Sequence, residues 1–181
     1  MSRPQRLDSV SGLLDLALTR RADGEKLAEI QRVRLGTRLP AYLPQRITPE
    51  LCGILARFRE AAAEEGIRQF VVQTHYESPM EITPESRDAV ARLLAAGWVV
   101  TNQHVLTTAA SRRGHNAKLR RVLGDIGVLP YYTFTVKGYR ENWFNFAPNS
   151  RVVQEQVEEK IYGRVPEDLH DSLRRLHDHA E

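Results

Sequence analysis

Three stretches of this 181-residue chain repeat one layout, and that repeat limits the fold more than any other feature. Leu51, Ile54, Leu55, Phe58 and Ala62 fall on one helical face, and Gly66 follows. Val90, Leu93 and Leu94 lead in the same way to Gly97, and Leu119, Val122, Leu123 and Ile126 lead to Gly127. This is the 3.6-residue period of an amphipathic helix. A glycine placed just beyond it suits the left-handed backbone that ends a helix. Each glycine opens directly onto a strand-like run: IRQFVVQTH, WVVTNQH and VLPYYTFTV. The glycines stand 31 and 30 residues apart, the length of one β/α unit. Two helices also start alike, with Thr48-Pro49-Glu50 and Thr83-Pro84-Glu85 supplying an N-cap hydroxyl, a proline at the first helical position and an acid near the positive helix end. A fourth unit precedes these: Val10, Leu13, Leu14 and Ala17 have helical spacing, and Glu29 to Leu35 reads as a strand.

Alternating helices and short apolar strands predict an α/β fold in which about four parallel strands are covered by outer helices. An open doubly wound sheet and a β/α barrel both satisfy the pattern. Four strands are too few to close a barrel, so a barrel reading means part of one. No strand runs into a GxGxxG or GxxxxGK[ST] loop, which argues against the common nucleotide-binding open sheets. The domain expectation is a partial barrel over residues 1–163 and a helical tail over 164–181, where Leu169, Leu173 and Leu176 mark a short amphipathic helix rich in charge and histidine.

Composition narrows the function classes. The net charge of +3 is spread along the chain rather than gathered in a block, so it supports a nucleic-acid role only weakly and no nucleic-acid partner is expected. No apolar run approaches the ~20 residues of a membrane span, and the first ten residues lack the apolar core of a signal peptide; the expectation is a cytoplasmic protein without a membrane partner. Cys52 is the single cysteine, which rules out an intrachain disulfide and any zinc or iron–sulfur site built on several cysteines of this chain. His75, His104 and His115 lie on different units without metal-ligand spacing, so no metal site is expected.

In β/α architectures ligands sit at the carboxyl ends of the strands, and here those ends are polar. The first offers Arg34, Thr37 and Arg38; the second Gln73, Thr74 and His75; the third Thr101, Asn102, Gln103 and His104; the fourth Thr133, Thr135 and Lys137. Strands do become polar where they meet water, but four such ends together favour a site for an anionic or zwitterionic ligand. Arg112 to His115, ahead of a helix, reads as a solvated turn that can also hold an anion.

Five ordered blocks between Glu29 and Tyr132 resemble the lysine 2,3-aminomutase family of radical S-adenosylmethionine (SAM) enzymes. They are Arg34-Leu35-Gly36-Thr37-Arg38; Leu43 to Leu51 (LPQRITPEL); Thr74-His75 with Pro79, Glu81-Ile82-Thr83 and Glu85-Ser86; Asn102 to Leu106 (NQHVL); and Val128 to Tyr132 (VLPYY). The resemblance implies a partial β/α barrel whose strand ends hold SAM, a [4Fe–4S] cluster and pyridoxal phosphate (PLP). It implies an isomerase in which a 5′-deoxyadenosyl radical takes hydrogen from a PLP-bound amino acid and the amino group migrates to the neighbouring carbon. Carried onto this chain, His75 and Gln103 look like the family's SAM-contacting residues, with Thr74 and Asn102 beside them as further cofactor-binding candidates; no catalytic residue is assigned.

The departures from the family are equally specific. Its CxxxCxxC cluster motif and GGD segment are missing, and so is the Gly-rich segment with the PLP lysine. The chain therefore resembles the carboxyl-terminal part of such a barrel, is not expected to cleave SAM alone, and is expected to depend on a Cys-bearing segment or subunit docked at the strand edge near residues 29–35. The alternative is a non-catalytic remnant or SAM-binding module. Where the lysine enzymes place an Asp against the distal ammonium of the substrate, this chain has Lys137, which suits a carboxylate-bearing amino acid. Homo-oligomerisation is also compatible with the pattern.

Overall fold

The computed structural model describes residues 30–110, 112, 114–134 and 145. The predicted helix at Val10–Ala17, the segment from Thr135 through Lys137, the tail helix and the boundary between residues 163 and 164 lie outside them. The fold is α/β: strands β1 (Arg32–Gly36), β2 (Gln69–Thr74), β3 (Val99–Val105) and β4 (Leu129–Phe134) form one parallel sheet in the order β1-β2-β3-β4. Helices α1 (Leu39–Tyr42), α2 (Pro49–Glu64), α3 (Pro84–Ala95) and α4 (His115–Asp125) occupy the connections. Single 3₁₀ turns stand at Pro44–Arg46 and Pro79–Glu81. The strand order follows the chain order, as expected of part of a β/α barrel. Among the described residues, no helix is long and apolar enough to cross a membrane.

The chain divides into two compact units, residues up to 74 with 83–101, and residues 75–82 with those from 102 onward. In the first, α2 and α3 begin as predicted. The Thr48 hydroxyl accepts from Leu51 N at 3.2 Å, and the Thr83 hydroxyl accepts from Ser86 N at 3.2 Å. The Glu85 carboxyl is held below its ordinary range by its own backbone N–H and by the Thr83 hydroxyl, as suits an acid at a positive helix end. Both helices end in the paired hydrogen bonds of a Schellman turn. Ile67 N donates to Ala62 O at 2.9 Å and Gly66 N to Ala63 O at 3.1 Å; Trp98 N donates to Leu93 O at 3.2 Å and Gly97 N to Leu94 O at 2.9 Å. The residue after each glycine, Ile67 or Trp98, is buried and is the first to enter the core.

That core is aromatic at its centre. Phe58 of α2 meets Phe70 of β2 edge-on, with centroids 6.1 Å apart, and Trp98 packs on both rings at 6.3 and 5.6 Å. The Trp98 indole N–H donates to the Leu55 carbonyl at 3.1 Å, so its one polar atom is satisfied inside the core. Leu55, Ala62, Val72, Ala89, Val90, Leu93 and Val100 complete the layer. Leu94, predicted to share the buried face, is exposed at its margin; Ala89 takes that position in the contact. The Arg92 guanidinium donates to Ile47 O at 3.0 Å, fastening α3 to the turn before α2. β1 runs parallel to β2 with Arg32 opposite Gln69 and Gly36 opposite Gln73, and Thr37 N donates to Gln73 O at 2.9 Å one step beyond the strand.

In the second unit, α4 ends in the same Schellman pattern, with Val128 N donating to Leu123 O at 2.9 Å. Leu119, Leu123, Val128, Leu106 and Tyr76 are buried. β4 exposes Leu129, Tyr131, Tyr132 and Phe134.

Gly97 has φ +79°, and a Cβ built there would stand 2.5 Å from Arg59 Nε. Gly97→Ala is expected to cost about 1–2 kcal/mol in chemical denaturation. Adding Arg59→Ala should recover only the steric share, because the left-handed backbone remains.

Candidate functional site

Side chains along a strand alternate between faces. In the second unit Asn102 and His104 share one face of β3 and Gln103 takes the other. In the first, Phe70 and Trp98 face α2, so Val72, Thr74 and Val100 share the helix-facing side, and Gln69, Val71, Gln73, Val99 and Thr101 take the opposite side. The Arg32 guanidinium donates to the Gln69 side-chain oxygen there.

In the first unit the polar ends divide into used and unused groups. The Thr37 hydroxyl accepts from Leu39 N at 3.2 Å and opens α1. The Arg38 guanidinium stacks 4.1 Å over the Tyr42 ring, a cation–π contact, and Arg34 is exposed. Gln73, Thr74 and Thr101 are 7%, 1% and 8% exposed, and Gln73 Nε2, Thr74 Oγ1 and Thr101 Oγ1 have no hydrogen-bond partner. A cleft lined by Arg59, Ile67, Arg68, Gln69 and Val99 opens at the amino ends of the strands, away from these groups.

In the second unit the turn after β2 is held from several directions. Asn102, 3% exposed, accepts from Tyr76 N at 2.6 Å and donates through Nδ2 to Tyr76 O at 3.0 Å. Its amide thus serves the backbone of a buried residue as a neighbouring strand would. A Glu81 carboxylate oxygen accepts from Glu77 N at 2.6 Å and Ser78 N at 3.0 Å, while the Ser78 hydroxyl accepts from Met80 N: a capping box on the 3₁₀ turn. On this frame His75 and Glu77 are half-buried, with Nε2 of one 3.2 Å from Oε1 of the other. His115, the first residue of α4, places Nε2 3.1 Å from Glu77 O. Gln103 is half-buried on β3, and Thr133 accepts from the Arg120 guanidinium at 3.2 Å.

The unit therefore gathers His75, His104 and His115, three histidines that the sequence places on separate β/α units. His104 is 4% exposed, and neither ring nitrogen makes a well-formed hydrogen bond. Burial pushes its pKa down to about 4; His115, His75 and Arg120 push the same way, and the Glu77 carbonyl opposes them weakly. Among the described residues, no group of three or more His, Cys, Asp or Glu is arranged to hold a metal ion. Cys52 is buried in the first turn of α2, where desolvation raises its thiol pKa against a smaller opposing effect of Arg92. It is an inert core residue.

Of the residues singled out in the sequence, His75 stands half-buried just past the end of β2, and Gln103 is half-buried two residues before the end of β3. Asn102 lies in the middle of β3 with its amide engaged by Tyr76, and Thr74 is buried on the helix-facing side of β2. Lys137 lies outside the described residues. Glu77 is not among the residues singled out in the sequence, and Glu81 stands there only within a resemblance block, although Ser78-Pro79-Met80-Glu81 is itself a legible helix-start signal.

No family model matches the chain. It is 39% identical over 137 residues to an uncharacterised KamA-family protein of Methanocaldococcus jannaschii, a match covering 74% of this chain and 21% of that protein. It is 35% identical over 114 residues to a glutamate 2,3-aminomutase of Clostridioides difficile, covering 62% and 25%. It is 36% identical over 112 residues to an L-lysine 2,3-aminomutase of Haemophilus influenzae, covering 60% and 30%. The chain thus spans about a fifth to a third of the length of these relatives.

Asn102→Ala leaves the buried N–H and C=O of Tyr76 without their partner and is expected to cost about 2–4 kcal/mol, measured by denaturation, with faster amide exchange at residues 75–78. For His104 the folded-state pKa lies below the ordinary 6.5, so the unfolded chain binds the proton more readily. Stability contributed by the neutral ring is present above about pH 6.5 and lost as pH falls towards 4. The full loss is on the order of 3 kcal/mol. Denaturation curves between pH 7 and 4 should show it, and His104→Gln should flatten the slope relative to the parent.

Proposed function

The chain is a relative of the KamA and lysine 2,3-aminomutase proteins over most of its own length, and from that premise we propose that it is the carboxyl-terminal barrel portion of an aminomutase-like radical SAM isomerase, acting in the cytoplasm. The observation that carries this reading is the 39% identity over 137 residues, a span long enough to take in the polar strand ends. On this reading His75 and Gln103 contact SAM. Both are half-buried, which leaves them able to meet a ligand. Gln103 both donates and accepts, which suits the amine, carboxylate and ribose of SAM.

The residues of this chain do not fit a [4Fe–4S] cluster. A cluster held by three cysteines needs more than Cys52, and that thiol is buried in a helix of the core. Nor does the chain present the Gly-rich lysine segment that would carry PLP. Its own contribution is therefore to bind and orient SAM and the amino acid, and the cluster ligands come from a further Cys-bearing segment or subunit that adds to the edge of β1. Lys137 is taken to pair with a substrate carboxylate. Similarity to both a glutamate enzyme and lysine enzymes is in keeping with either substrate, and the positive charge favours the acidic one.

Calorimetry with the purified 181-residue chain tests the binding step. SAM should bind, and His75→Ala and Gln103→Ala should each weaken it at least tenfold. Co-expression with a cluster-bearing aminomutase segment should yield 5′-deoxyadenosine under reducing anaerobic conditions, which the chain alone should not. A stoichiometric cluster reconstituted in the chain alone would sink the claim that its ligands come from elsewhere. Binding without cleavage in every combination would point to a non-catalytic SAM-binding module.

A further inference from the structure

Two side chains of the first unit stand out once the strand faces are assigned. Gln73 on β2 and Thr101 on β3 both lie three residues beyond a member of the aromatic pair Phe70–Trp98, whose centroids are 5.6 Å apart. Gln73 is the fifth of the six residues of β2, and Thr101 is the third of the seven residues of the neighbouring β3. An odd number of steps puts them on the opposite face from the aromatic rings, away from α2. Both are more than nine-tenths buried, and Gln73 Nε2 and Thr101 Oγ1 have no hydrogen-bond partner. Burying a donor without a partner is costly, and native proteins leave few such groups. Two on the same face of adjacent strands share one explanation: a ligand completes them.

We propose that Gln73 and Thr101 form a hydrogen-bonding subsite for an oxygen acceptor of a small polar ligand, either a carboxylate of an amino acid or a hydroxyl of a ribose. It rests on the reading of the strand ends as a SAM-type site. The amide of Gln73 supplies a donor, and the Thr101 hydroxyl donates or accepts as the ligand requires. Thr74 has an equally unpartnered hydroxyl but lies on the helix-facing side and is not part of the subsite.

The test uses near-isosteric replacements that remove only the polar function. Thr101→Val and Gln73→Leu should each weaken SAM binding at least tenfold in calorimetry while the melting temperature holds or rises, because a buried unpartnered group has been removed. Thr101→Ser, which keeps the hydroxyl, should bind as the parent does. 5′-Deoxyadenosine carries the ribose without the carboxylate and L-glutamate a carboxylate without the ribose; the arm in which Thr101→Val still loses affinity names the acceptor. Parent-like affinity of Thr101→Val and Gln73→Leu in all three arms overturns the subsite, as does Thr101→Ser binding as weakly as Thr101→Val. SAM affinity lost in His75→Ala but kept in both subsite variants overturns the subsite and leaves the SAM reading standing; the reverse keeps the subsite and removes His75 from it. No binding of any of the three ligands by the parent overturns both.

Discussion

Trp98 is the residue on which most of the first unit depends. It is the buried residue that follows Gly97 in the turn ending α3, it leads directly into β3, its indole N–H is tied to a carbonyl of α2, and its ring packs on Phe58 and Phe70. One side chain thus joins the end of one helix, the start of a strand, the neighbouring strand and the seating of another helix. An aromatic ring of this size, fully buried and with its polar atom paired, contributes several kcal/mol of apolar burial. Its placement also decides which face of β2 and β3 looks towards the helices, and every polar residue further along these strands inherits its orientation from that choice.

The strand period gives the polar carboxyl ends two different tasks. In the second unit they serve the fold: Asn102 binds both backbone groups of Tyr76, and His104 is buried, where desolvation pushes its pKa down. In the first unit Gln73 and Thr101 are buried without partners. A buried amide spent on the backbone holds the turn that carries His75 and Glu77, whereas a buried amide left over is costly unless something binds it. Residues next to each other in sequence therefore have opposite meanings.

Much of the fold was legible because its signals are local. The Thr-Pro-Glu starts, the apolar 3.6-residue spacing and the helix-ending glycines act over a few residues, and α2, α3 and α4 follow them. Strand positions came within about two residues, since an apolar run bounded by a glycine turn leaves little choice. The candidate site was legible only as a location. Polar strand ends and a family resemblance point to His75 and Gln103, but neither gives the roles of Glu77 and Glu81, because their partners depend on how a non-repeating turn folds back on itself. Leu94 was assigned to the buried face because helical spacing cannot tell the centre of a contact from its margin.

The amino-acid sequence by itself determined the alternation of helices and parallel strands, the turns between them, the polarity of the strand ends and the kinship with aminomutases, because each of these is written in short-range patterns or in ordered identical residues. Only the tertiary structure decided which polar residues face the helices and which face away, which are already hydrogen-bonded and which are not, and that three histidines from separate units meet. Those outcomes depend on the register of neighbouring strands and on the desolvation of each group, and both exist only once the sheet and its helices have packed.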